Sequence, residues 1–122
     1  MEIRNKKIGI HTYTLVNKSE GTRYGFRHIT TLFKDNREVA NNICCYYNRT
    51  WECYQFETSM RGAVSKYIDE LLTRYLHAYK TRLGVKRFKK GEKEQVIEEF
   101  KAFDEIKELY ALKDAISRRE FD

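Results

Sequence analysis

Six cations, Lys80, Arg82, Lys86, Arg87, Lys89 and Lys90, fall within eleven consecutive positions without an acid among them. Ammonium and guanidinium groups grouped this way suit the neutralisation of phosphates. Each such contact releases condensed counterions, so about four to six of them give salt-sensitive binding in the micromolar range. Like charges brought close together repel and add nothing to a fold, so the block points outward, to an anionic partner. Arg27 is a further candidate contact. Tyr24 and Tyr46 are candidate aromatic contacts on the same predicted sheet, because sheets that bind single strands stack bases on such rings. The competing role for the aromatics, 9 Tyr and 7 Phe in all, is core.

Two structural accounts compete for the cations. Lys80 and Arg82 sit on the predicted last turn of a long helix, where positive charge suits the negative end of the dipole. That leaves Lys86, Arg87, Lys89 and Lys90 unexplained. The second account is internal neutralisation. Residues 1–91 carry 18 Lys/Arg against 8 Asp/Glu, whereas residues 92–122 carry 6 against 10. An acidic tail folding back onto the block would quench it, and a merely solvated face is the remaining alternative.

Other chemistries find less support. The chain has no Gly-rich phosphate loop, no serine in a nucleophile elbow and no His-Glu-x-x-His motif. A metal-dependent nuclease would have to be assembled from His28, Glu52 and lysines, which no spacing singles out. The three cysteines, Cys44, Cys45 and Cys53, do not have zinc-site spacing. Cys44 and Cys45 would face opposite sides of a strand, and an odd count fits free thiols in a reducing cytosol. No catalytic residue, metal or cofactor is therefore expected. The N-terminal residues do not lead into a secretion signal, no apolar run is long enough to span a membrane, and the expected location is cytoplasmic.

At 122 residues the chain is expected to form one domain with a core of its own. The fold expected is α+β: a three-stranded antiparallel sheet packed on a long amphipathic helix, with a C-terminal acidic helical segment. Residues 8–16, 23–34 and 37–47 carry the β-branched and aromatic pattern of strands. Residues 17–22 read as a turn with Gly21 at positive φ, and Asp35-Asn36 as a two-residue hairpin turn. On the second strand Phe26, His28, Thr30 and Leu32 share a face. On the third, Val39, Ile43, Cys45 and Tyr47 do. Asn48 or Thr50 would cap a helix that runs from about Trp51 to Gly84, with Trp51 anchoring it and Met60, Val64, Ile68, Leu71, Tyr75 and Tyr79 on its apolar stripe. Residues 92–119 read as helix again, either unbroken or divided with Asp104 as the second N-cap. The organisation expected is a core of 1–84 followed by a basic link and acidic helical tail at 85–122, packed on the core.

The run Gly25-Phe26-Arg27-His28 through Leu32-Phe33, then Asp35, Glu38-Val39-Ala40, Tyr47-Asn48-Arg49-Thr50-Trp51-Glu52, Tyr54, Phe56 and Thr58 resembles a pattern in small uncharacterised proteins encoded by phages, plasmids and integrative elements of bacteria. The resemblance spans residues 23–65, about a third of the chain, and the Asn-Arg-Thr-Trp-Glu core is its most specific part. Residues beyond Gly84 lie outside it. It implies context and no functional residue. Small mobile-element proteins without catalytic motifs often bind host machinery, anti-CRISPR and anti-restriction proteins among them. Charge and resemblance together give the expected function: a non-enzymatic inhibitor that binds a bacterial defence nucleoprotein, such as a CRISPR effector, through its basic face. A direct nucleic-acid-binding accessory protein is the alternative, and a nuclease is third. Pairing of two copies through the C-terminal helix is a further expectation.

Overall fold

The computed structural model describes residues 1–23, 25–46 and 52–122, with backbone alone at 46 and 52–55. Four strands, β1 (Glu2–Ile8), β2 (His11–Thr22), β3 (Gly25–Lys34) and β4 (Arg37–Tyr46), form one antiparallel meander in the order β1-β2-β3-β4. Each strand pairs with its neighbour in sequence. Three helices follow: α1 (Glu52–Leu83), α2 (Glu92–Lys101) and α3 (Asp104–Arg118).

The expected α+β class and antiparallel sheet are present, but the sheet has four strands where three were expected. Of the expected strand at 8–16, residues 11–16 form the first half of β2, while Ile8 ends an additional strand, β1. Gly9 takes φ 62° and, with Ile10, turns the chain between the paired residues Ile8 and His11. The segment 17–22, expected as a turn, continues β2, and Gly21 is not among the glycines at positive φ. The reversal comes later, between the paired Thr22 and Gly25. Asp35 and Asn36 do form the expected turn, at φ 51° and 67°. Both residues tolerate the left-handed region that a type I′ hairpin requires. Asp35 also accepts from the Thr12 N–H at 2.9 Å and sits against His11. The Thr12 N–H first, then the His11 ring, hold its carboxyl below the usual range.

Alternation on β3 falls as expected: Phe26, His28, Thr30 and Leu32 point into the core. On β4 it does not. Leu32 pairs with Ala40 and Phe33 with Glu38, so Val39 is an extra residue in a bulge. The bulge flips the parity beyond it. Ala40, Asn42 and Cys44 thus face inward; Ile43 and Cys45 share the outer face, with Ile43 52% exposed, while Val39, expected on their face, packs against the core.

The inner face divides along the strands. Tyr13, Leu15, Leu32 and Ala40 form its apolar half, and α1 and α3 lie over it with Met60, Ala63, Val64, Ile68, Ile106, Leu109, Leu112 and Ile116. One apolar cluster thus joins residues from both sides of Gly84. Towards the β2–β3 hairpin the same face turns polar. Asn17, Thr30 and Asn42 occupy one cross-strand row. The Thr30 hydroxyl lies 2.6 Å from Asn17 Oδ1 and 2.7 Å from the Ser59 hydroxyl of α1, so burial leaves few of these groups without partners. His28 is fully buried, with its ring 3.9 Å from that of Phe56. The outer face is covered by no described helix and carries Ile3, Val16, Ile29, Phe33 and Ile43.

α1 is 32 residues long, about 48 Å at 1.5 Å per residue. Its expected start lies outside the described residues: Asn48 and Thr50 as caps, and Trp51 as anchor. Its end does not. Gly84 at φ 69°, with Gly84 N–H bonded to Thr81 O and Val85 N–H to Lys80 O, is a Schellman stop. The tail is two helices, and the second is capped at Phe103 in an extended conformation, not at Asp104 as expected. Asp104 and Glu105 fill the first turn, where they favour the dipole without capping it.

Gly62 lies where α1 crosses β4. A Cβ there would overlap Asn42 Nδ2, which donates to Ser59 O at 3.1 Å. Gly→Ala in an exposed helix interior stabilises by about 1 kcal/mol. Here Gly62→Ala is expected to reverse that sign and cost about 1–2 kcal/mol, through crowding and the lost hydrogen bond. Chemical denaturation checks it. The double variant Gly62→Ala/Asn42→Ala should be more stable than the sum of the single changes, because removing the amide removes the overlap.

Candidate nucleic-acid interface

The far half of α1 extends beyond its tightest packing. No residue from 71 to 83 is fully buried, and Phe100 of α2 and Phe103 before α3 pack against Tyr75 of this stretch. Here α1 carries Leu71, Tyr75 and Tyr79 one turn apart on one stripe, with Lys80 and Arg82 at its end. The link that follows brings Phe88 back against the helix. The Phe88 ring centroid is 6.1 Å from that of Tyr79, and Lys80 Nζ stands 5.4 Å above Phe88. Arg82 lies 5.0 Å from the Tyr79 centroid. These cation–π contacts and the helix dipole account for Lys80 and Arg82.

Lys86, Arg87, Lys89 and Lys90 are exposed, and no ion pair is formed by them, by Lys80 or by Arg82 among the described residues. The acidic tail directs its carboxylates elsewhere. Glu105 holds Lys34 at 2.9 Å, Glu98 lies 4.0 Å from Lys101, Glu108 accepts from the Tyr13 hydroxyl at 3.1 Å, and Asp122 accepts from the Lys7 N–H at 2.6 Å. Burial first, and Glu108 beside it, push the Tyr13 phenol well above its ordinary value. Glu105, Glu108 and Asp122 thus tie the tail to β3, β2 and β1, and among the described residues no carboxylate lies within ion-pair distance of the cations at 80–90.

Arg27 does not join this group. It lies on the outer face of the sheet, opposite the helices, where Nε and one terminal nitrogen donate to Glu20 Oε2 at 2.8 and 2.6 Å. That bond holds the Glu20 carboxyl below its usual range. Tyr24 lies outside the described residues, and of Tyr46 only the backbone pairing with Phe26 is described. The ring platform on α1 was missed, since a Tyr stripe at helical spacing reads equally as core. Phe88, within the cationic block itself, was the available signal.

Two clefts flank this end of the molecule. One, of about 580 Å³, sets Lys34, Arg37 and Arg74 against Asp35, Glu38, Glu70 and Glu105. Its charges nearly cancel, which suits no polyanion. The other is a groove of about 340 Å³ with an apolar floor of Leu71, Tyr75, Phe100, Phe103 and Ile106, continuous with the Tyr75–Tyr79 stripe. Among the described residues no three His, Cys, Asp or Glu side chains converge as metal ligands would, and Cys53 lies outside that set. No described helix is long and apolar enough to cross a membrane. The apolar side of α3 is spent inside the chain, so a second copy would meet only its outer side, where Tyr110 is exposed.

Compared with protein-family models, curated proteins and solved structures, the chain matches none.

Proposed function

We propose that this chain is a small, non-enzymatic mobile-element protein that binds a bacterial defence nucleoprotein, of the CRISPR-effector kind, through the cationic face at 80–90. One observation carries the reading: among the described residues Lys86, Arg87, Lys89 and Lys90 stand exposed without an ion-pair partner, while Glu105 and Asp122 of the tail are bound to the sheet. Desolvated pairing with an outside phosphate thus displaces no internal bond. The resemblance over residues 23–65 supplies the mobile-element and inhibitor context. Occupying phosphates of a guide or target strand would block the effector sterically and electrostatically, with no chemical step.

A second reading, direct binding of bare nucleic acid as a phage or plasmid accessory protein, is favoured by the interleaving of Tyr79 and Phe88 with Lys80 and Arg82. A pull-down from bacterial lysate, with and without nuclease, separates the two. An inhibitor is expected to retain the effector's protein subunits after nuclease treatment and to ignore naked polymer. A direct binder should hold bare polymer at 50 mM salt and lose about 100-fold in affinity by 200 mM, as four phosphate contacts require. Binding of neither effector nor polymer would sink both.

A further inference from the structure

We infer that the nucleic acid met by this face is single-stranded, and that its unpaired bases meet a run of four neighbouring rings, Phe103, Tyr75, Tyr79 and Phe88, that leads to the cations. The inference rests on the reading that the cationic face meets nucleic acid, and adds which form of it fits. Neighbouring centroids are 5.5 Å (Phe103–Tyr75), 6.4 Å (Tyr75–Tyr79) and 6.1 Å (Tyr79–Phe88) apart, with the rings inclined at 80°, 49° and 43°, so the run offers separate faces and edges and not one flat platform.

The surroundings favour bases over a purely electrostatic contact. Phe103 is 49% exposed, although an aromatic side chain gains by burial. With Tyr75 and the buried Phe100 it forms the wall and floor of the 340 Å³ groove, at the small end of the range that holds a small ligand. A duplex has its base faces stacked internally and offers this groove nothing. An unpaired base offers a π-face and an apolar edge. Of the two charges at the rim, Arg74 is a cation and attracts a strand, and the negative charge of Glu105 is offset by Lys34 at 2.9 Å. At the Phe88 end of the run Lys80, Arg82, Lys86 and Lys89 supply the phosphate contacts. Cations next to aromatic rings are the means by which strands are held without sequence readout.

The test measures fluorescence anisotropy of the full chain with a labelled 12-nucleotide polythymidine strand, a duplex of equal length and heparin. The expected result is at least tenfold tighter binding of the single strand than of the duplex. Phe88→Leu and Phe103→Leu keep apolar volume but remove the ring, so they leave the fold standing. Each should weaken the single strand about 5- to 150-fold, the range for one stacked base, with duplex and heparin affinity and the salt slope unchanged. Equal affinity for strand and duplex, or equal loss on both in the leucine variants, would overturn the inference while leaving the cationic face intact. Failure to bind any of the three polymers would overturn the face and the inference together.

Discussion

Changing Lys86, Arg87, Lys89 and Lys90 together to glutamine is expected to weaken polyanion binding about 10²–10³-fold near physiological salt, with no loss of thermal stability. Each phosphate contact on a single strand contributes about 0.7 to the slope of log affinity against log salt, so removing four contacts lowers that slope by about 2.8 and forfeits roughly 0.6 of a decade per contact. Stability should hold, because none of the four takes part in an ion pair or lies in the core. Relief of mutual repulsion could even raise it slightly. Arg27→Gln serves as the contrast. It breaks a bidentate contact with Glu20 on the other face of the sheet and should change affinity less than twofold. A quadruple variant that binds as well as the parent, or an Arg27 variant that loses as much, would place the interface elsewhere.

The largest stability effect is expected at Leu109. Its side chain is fully buried in the cluster that joins α3 to Tyr13, Leu15 and α1. Leu→Ala at such a site costs about 3–5 kcal/mol, the transfer term plus the cavity left behind, which is a large share of what a domain of this size possesses. Urea denaturation should show the loss as a drop in midpoint with an unchanged slope. A cost below about 1 kcal/mol would mean that α3 is not docked on the sheet, and the acidic tail would then be free to reach residues 80–90.

Features fixed by local chemistry could be read from sequence, and those fixed by a partner strand could not. Asp35-Asn36 and Gly84 announced themselves because positive φ restricts which residues serve. β1 was invisible. Its sequence, Glu2–Ile8, is mostly charged or polar, as befits an edge strand that must resist pairing with other chains. Residues 17–22 read as a turn because their polar side chains find partners only in the folded sheet, Asn17 from Thr30 across the ladder. The Val39 bulge likewise exists only against β3. Of the candidate site, the cations were plain from their density. That the tail leaves them unquenched was not, since the choice of Lys34 and the Lys7 N–H as partners is tertiary. Arg27 lies on the sheet surface as expected, but its pairing with Glu20 was hidden for the same reason: the two are opposite only once the hairpin register is known.

The meander has a kinetic corollary. Since every strand bonds to its immediate successor, the sheet can zip hairpin by hairpin at small entropic expense. The contact between Tyr13 and Glu108, 95 positions apart, belongs to the last closure of the chain, so seating of the final helix should limit the folding rate. Until it seats, Leu109, Leu112 and Ile116 stay wetted, and that interval is when newly made molecules are most prone to clump.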